Sequence, residues 1–288
     1  MEQLLIGFLL AITISTLAFF ARALSRSGAA AAAVVGTIIF GLGGLPWAVL
    51  LLAFFISSSA LSRLAGRGKA SLNEKAAKGS RRDAGQVLAN GGVATLLVLV
   101  YSLTQGGQAF PPSPAMRAPG LILPPSSWFF AFAACLAAAN ADTWATELGV
   151  LNKRPPVMIT TGKRVDPGTS GGVSPTGTLA ALGGAGSVGL LASGLAALGS
   201  GMSNFGAHFL AITATGLAGS LFDSLLGATW QAVYTCPACQ KDTERHPYHI
   251  CGAPTSLKRG WRWLNNDWVN VACTAFGAIM LLFVEVIR

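Results

Sequence analysis

The sequence predicts an all-α fold: a polytopic helical membrane protein of about eight transmembrane helices, with both termini non-cytoplasmic. Three observations carry this expectation. Hydrophobic residues make up 52% of the 288 positions and charged residues 11%, and the mean hydropathy is +0.56; that balance cannot cover the surface of a soluble globule. Eight apolar stretches recur along the chain, each near the length a bilayer core requires. The basic residues fall almost entirely in alternate connections between them.

The stretches lie at 4–21, 29–44, 46–62, 87–104, 128–150, 173–199, 205–232 and 268–286. Residues 2–20 lack a basic start, and the polar part at 22–27 follows the apolar run, so the first stretch reads as a retained span and not a cleaved signal. The second and third are separated by residues 41–46, which suit either a tight turn or a break in one bent segment. The sixth is nearly all Gly, Ala, Leu and Ser and is expected among other helices, not facing lipid. Trp47 and Trp128 near one side, and Trp230, Trp261, Trp263 and Trp268 near the other, are expected at the membrane interfaces. No polar linker is long enough to separate two units, so residues 1–288 are expected to form a single membrane domain.

Of the 20 Lys and Arg residues, 18 fall in segments 22–28, 63–86, 152–172 and 235–267; Arg117 and Arg288 are the exceptions. The positive-inside rule makes those segments cytoplasmic, with 63–86, 152–172 and 235–267 as the main cytoplasmic loops. The net charge of +9 then follows from topology and anionic lipid, and no nucleic-acid partner is expected.

Carboxylates inside apolar stretches are the strongest functional signal, because charge in hydrocarbon is costly and usually faces a wet, protein-lined interior. The fifth stretch contains Asn140, Asp142, Thr143 and Glu147; the seventh contains Asp223 between Gly219 and Gly227. With this orientation Asp142 lies roughly 13 Å from the cytoplasmic end of its span, at 1.5 Å per residue, and Asp223 lies at nearly the same depth. Gln86 and Asn90, and Asn265, Asn266, Asp267 and Asn270, fall at the cytoplasmic ends of their spans, so all converge on one pocket in the cytoplasmic leaflet. Asp142, Glu147 and Asp223 are the candidate catalytic and Mg²⁺-binding set, since magnesium takes carboxylate and phosphate oxygens. On an ideal helix Asp142 and Glu147 are about 140° apart, so they share a metal only if the helix bends between them. The same acids would also serve a proton relay or an ion pathway.

Residues 160–178 read TTGKRVDPGTSGGVSPTGT. Gly168, Gly171 and Gly172 permit turns that aim N–H groups inward, Thr169, Ser170 and Ser174 add hydroxyls, and Lys163 and Arg164 add charge: an anion nest opening the sixth helix at its dipole-positive end. The plainer reading is a flexible connector. The string Gly184, Gly186, Gly189 sits inside an apolar span with no preceding strand and is read as helix packing. Arg81 and Arg82 stand where a phosphate arrives from water, or serve as ordinary membrane anchors. Cys236, Cys239, His246, His249 and Cys251 crowd into sixteen residues with CxxC spacing, and Cys236, Cys239, His246 and Cys251 are the candidate set for a structural Zn²⁺. Cys135 and Cys273 are read as packing residues.

The strings GQVLANG at 85–91, ADTWATELG at 141–149, GTSGGVSPTG at 168–177, DSLLGA at 223–228 and NDWVN at 266–270 together resemble an integral-membrane family. It contains the phytyl-phosphate kinase of tocopherol synthesis and the transmembrane protein nineteen group, and is more faintly similar to CTP-dependent prenol kinases. The order and spacing match over most of 30–286. The resemblance implies phosphoryl transfer from a nucleoside triphosphate, typically CTP, to a prenyl monophosphate lipid, giving the diphosphate. Under it Asp142, Glu147 and Asp223 hold Mg²⁺. Lys163, Arg164 and the 168–174 turn cradle phosphates, with Arg81 and Arg82 on the water side. Gln86, Asn90, Asn140, Asn266, Asp267 and Asn270 position substrate and nucleotide. The expected location is the plasma or inner membrane, multi-pass, with the active site facing the cytoplasm. The rival expectation is an ion-coupled transporter or carrier using the same acids; no inverted repeat of the kind many carriers show is evident.

Overall fold

The computed structural model describes residues 2–66, 81–105, 123–152, 154–200, 202 and 204–287. Residues 67–80 of the basic segment 63–86, together with Lys153, Arg117 and Arg288, lie outside the described residues. The described chain is built on eight long helices: α1 (Glu2–Phe20), α2 (Arg26–Ile38), α3 (Leu45–Gly66), α4 (Ala84–Gln105), α5 (Pro125–Gly149), α6 (Pro175–Ser200), α7 (Phe205–Thr229) and α8 (Asn266–Ile287). They follow the eight apolar stretches. All but α5 are long and apolar enough to cross a membrane, α2 with the π-helical turn Ile39–Gly43 that continues it. Between that turn and α3 the chain reverses through Gly44 at φ +85, so 41–46 divides two helices and does not bend one.

The polar α5 is the hub. Its residues 130–141 are all buried, and α3, α4, α6, α7 and α8 pack around it. Alanines on α5 meet glycines on its neighbours: a Cβ added at Gly216 or Gly219 would strike Ala137 or Ala138, and one at Gly277 would meet the carbonyl of Ala134. Small residues let these backbones approach closely, which is how packing energy is gained where no hydrophobic driving force exists between helices. Helix α6 uses only one face in this way. Gly184 and Gly189 sit against α5 and α7, whereas Leu179, Leu190 and Leu198 point outward, so the expectation that α6 packs among helices and does not face lipid holds on one face and is corrected on the other. Exposed Leu5, Leu9 and Leu17 on α1, Leu96 and Leu103 on α4, and Ile279 and Phe283 on α8 form the apolar exterior that lipid covers. Trp47, expected at an interface, is buried among Tyr101, Phe129 and Phe132. Trp230, Trp261 and Trp263 do lie exposed in one stack.

Asn140 is fully buried and fully engaged. Its Nδ2 donates to the Gly184 carbonyl at 2.9 Å and to Ser187 Oγ at 3.2 Å, and its Oδ1 accepts from Ser57 Oγ at 3.1 Å. It therefore ties α3 and α6 to α5 and lies away from solvent, a helix-linking position in place of the substrate contact expected of it. Asn140→Ala should lower unfolding free energy in detergent by about 1–2 kcal/mol, the cost of leaving a buried carbonyl unsatisfied and of losing an interhelical bond; denaturant titration of the purified protein measures it.

Two small β elements sit at the ends of α5 and α7. The first is a hairpin of β1 (Val157–Met158) and β2 (Gly172–Val173) between α5 and α6. The second, between α7 and α8, is a three-stranded antiparallel sheet of β3 (Val233–Cys236), β4 (Lys241–Thr243) and β5 (Ser256–Arg259), in the order β4-β3-β5.

Candidate functional site

The two β elements close over the ends of α5, α6, α7 and α8 and leave a cleft of about 310 Å³. The 168–174 turn docks on the end of α7 because two glycines allow it. Gly171 has φ +83, and a Cβ there would run into the backbone of Ala228; a Cβ at Gly227 would meet the Gly171 nitrogen at 2.9 Å. Arg259 on β5 locks the same corner, donating to the carbonyls of Gly227, Ala228 and Ser170. A cation at a helix C-terminus is favourable with the macrodipole, although partial burial pulls the Arg259 pKa down. At the other wall, Ser174 caps α6: its Oγ accepts from the Gly177 nitrogen at 3.1 Å, with Pro175 at the first helical position, where a missing N–H costs nothing.

Asp142, Asp223 and Glu244 line this cleft together, near enough for their charges to repel one another. Among the described residues Asp223 Oδ2 is buried without a hydrogen-bond partner. An orphaned carboxylate oxygen beside two further acids is an arrangement that a bound cation would complete, so the residues present fit a divalent, oxygen-seeking ion. Also lining the cleft are Gly168, Thr169, Ser170, Gly171, Gly172 and Ser174, the start of α6, Arg154, and Asn266 at the start of α8. The cleft thus brings three acids together with a glycine turn, a cation and two dipole-positive helix ends, so its lining suits a cation and an anion bound together.

Sequence reasoning missed three of these residues. Glu244 follows β4, and its Oε1 accepts from Ser170 Oγ at 2.6 Å and from Gln231 Nε2 at 2.8 Å. Gln231 is almost fully buried at the end of α7. Arg154 follows α5, its carbonyl held by Asn152 Nδ2 at 2.9 Å, while Asn152 Oδ1 accepts from Thr176 at 3.0 Å.

Other expected site residues lie elsewhere. Helix α5 runs unbroken to Gly149, so Glu147 stays on a different face from Asp142. It accepts from Ser62 Oγ at 2.8 Å on α3 and lies near Arg82. Arg82 stacks over Phe54 and Phe55 at 5.5 and 5.9 Å; burial lowers its pKa to about 10, with Glu147 opposing the shift. Arg81 lies over Phe19 and donates to the Leu24 carbonyl at 3.3 Å. Gln86 and Asp83 form a capping box on α4: the Gln86 nitrogen donates to Asp83 Oδ1 at 2.9 Å, and the Asp83 nitrogen to Gln86 Oε1 at 3.3 Å. Asn90 donates back to the Gln86 carbonyl at 3.0 Å. Arg82, Gln86 and Asn90 border a separate, almost wholly apolar cavity of about 170 Å³ among α1, α2, α3 and α4. Lys163 and Arg164 are exposed on the hairpin loop and do not line the cleft; nor do Asp267 and Asn270 in the first turns of α8.

In the second β element, Cys236, Cys239, His249 and Cys251 converge, with one ligand atom from each lying within 4.8 Å of all the others. The histidine is not the expected His246. That ring stacks on Tyr234 at 4.4 Å, and its Nδ1 pairs with Thr255 Oγ1 at 3.3 Å.

The family model for "Integral membrane protein DUF92" matches residues 9–278. Among similar proteins, Protein PGR of Arabidopsis thaliana is 36% identical over 227 residues, covering 76% of each chain. An uncharacterised membrane protein of Methanocaldococcus jannaschii is 30% identical over 240 residues, covering 80% of this chain and 86% of the other. Protein VTE6, chloroplastic, of Arabidopsis thaliana is 25% identical over 262 residues, covering 91% of this chain and 65% of that one. No solved structure matches significantly. The chain belongs to the DUF92 family of integral membrane proteins, the family to which its sequence motifs pointed.

Proposed function

We propose that the protein transfers a phosphoryl group from a nucleoside triphosphate, CTP being the first candidate, to a prenyl (phytyl-like) monophosphate lipid, giving the diphosphate. The observation that carries this reading is the lining of the cleft, in which Asp142, Asp223 and Glu244 share one cavity with the glycine turn, Arg154 and the start of α6. Phosphoryl transfer consists mostly of positioning and charge neutralisation, and both sides of that requirement are present. Distant similarity to VTE6 supports the same reading.

An oxygen of the lipid monophosphate forms a bond to Pγ. The bond from Pγ to the β–γ bridging oxygen breaks, and the nucleoside diphosphate leaves with that electron pair. The attacking monoester is already anionic, so no side chain need remove a proton. Asp142, Asp223 and Glu244 would hold Mg²⁺, which when bound supplies neutralisation of the phosphate oxygens. Arg154 and the start of α6, which Ser174 caps, would bind the polyphosphate beside the 168–174 turn. Basic loops draw the triphosphate from water, and the lipid keeps its chain in the bilayer, with the cleft facing the cytoplasm.

The test uses full-length protein in detergent with Mg²⁺, CTP and a panel of prenyl monophosphates, following lipid diphosphate and CDP together. Equal formation of both is expected, with the panel ranking chain length. No diphosphate from any acceptor, in protein that still binds Mg²⁺ and nucleotide, would overturn the kinase reading and favour an ion-coupled carrier.

A further inference from the structure

The β3–β5 element has little of its own to hold it together. Its strands are four, three and four residues long, and of its apolar side chains Val233 and Tyr234 are buried on β3. Units this small need a staple. The staple candidates are the thiols of Cys236, Cys239 and Cys251 and the imidazole of His249, and their spacing has a definite geometry. Cys236 Sγ and Cys251 Sγ are 3.5 Å apart, Cys239 Sγ and His249 Nδ1 3.6 Å, and His249 Nδ1 and Cys251 Sγ 3.2 Å. The edges of a zinc tetrahedron with Zn–S of about 2.3 Å and Zn–N of about 2.0–2.1 Å come to roughly 3.5–3.8 Å, close to these values. A disulfide would need about 2.05 Å between sulfurs, and all three cysteines are free.

We propose that Cys236, Cys239, His249 and Cys251 bind one structural zinc ion, and that this ion, by fixing the β3–β5 element, holds Glu244 in the cleft. Three thiolates and a neutral imidazole select a borderline-soft tetrahedral ion over magnesium or calcium. All four corners are filled by protein, which is the mark of a structural site and not a catalytic one. The link to the cleft is short. Cys236 ends β3, and β4 pairs with β3 through Cys236 and Lys241. Glu244 is the residue after β4 and is bonded to Ser170 and Gln231. On the opposite edge β5 carries Arg259, which grips the end of α7 and the Ser170 carbonyl. Loss of the ion would loosen both grips at once. The proposal is independent of the reaction the cleft performs.

Elemental analysis of full-length protein, purified without chelator from zinc-supplemented cells, should find one zinc per chain. His249→Ala and Cys239→Ser should lose it, and His246→Ala should keep it. The wild-type protein also provides a readout that no folding defect can confound: exchange of zinc for Co²⁺ should give tetrahedral visible bands with thiolate charge transfer. Hydrogen exchange with and without a zinc chelator should then quicken over 231–264 and over the 168–174 turn, while 130–141 of α5 stays protected. A zinc-free wild type, a Cys236–Cys251 disulfide in protein alkylated on lysis, or zinc lost in His246→Ala and kept in His249→Ala would overturn the site. Unchanged exchange at 168–174 on zinc removal would overturn the link to Glu244.

Discussion

Asp223→Ala is expected to lower kcat/KM for lipid-diphosphate formation by at least about 10²–10³-fold, the loss typical when one preorganised electrostatic partner of a transition state is removed. The same substitution should leave the protein as stable as the wild type or more so. Among the described residues Asp223 Oδ2 has no hydrogen-bond partner, and the side chain shares the cleft with Asp142 and Glu244, so its removal strands no partner of that oxygen and takes one carboxylate out of an acidic cluster. This opposition of activity and stability separates a ligand-holding acid from a structural one. A third measurement fixes the cause. Mg²⁺ should raise the Tm of the wild type, because an ion that binds only the folded state stabilises it by mass action, and should do so much less in Asp223→Ala. Asp142→Asn should likewise lower activity and the Mg²⁺ response, since Asp142 lines the same cleft. Activity intact in either variant would remove these acids from the chemistry.

What could be read from the sequence is what local pattern dictates. The fourth and eighth stretches, drawn at 87–104 and 268–286, correspond to Ala84–Gln105 and Asn266–Ile287, because a run of apolar residues bounded by polar ones determines a membrane helix almost alone. Asp142 and Asp223 stood out for the same reason: a charge inside such a run is conspicuous. Glu244 gave no such signal. It lies in a polar loop where acids are ordinary, and only the docking of that loop onto the 168–174 turn brings it to the cleft. Gln231 and Arg154 were hidden likewise. The position of Glu147 was legible in part, since the 140° separation from Asp142 already implied separate neighbours on a straight helix. Gln86 was misread although its pattern was local: Asp-x-x-Gln before an apolar run is a capping box, and that is what it forms. Between His246 and His249 spacing could not choose, because the fold of the loop between β4 and β5 places one ring on Tyr234 and the other at the thiols.

Glu244→Gln provides the sharpest contrast between the acids. A carboxamide is the same size, and its oxygen can still accept from Ser170 and Gln231, so the β3–β5 element should stay docked and the Tm should hold. One negative charge leaves the cleft. If Glu244 helps to hold Mg²⁺, the concentration of Mg²⁺ for half-maximal activity should rise about 10–100-fold, the range seen when a group supporting a metal is lost, while activity at saturating Mg²⁺ falls less. Glu147→Gln should do the reverse. Glu147 is bonded to Ser62 and lies near Arg82, away from the cleft, so its loss should leave the Mg²⁺ requirement unchanged and lower stability by stranding a half-buried guanidinium. A magnesium requirement that shifts in Glu147→Gln and not in Glu244→Gln would return the metal to the acids of α5 and α7. The β3–β5 element would then serve only to cover the cleft.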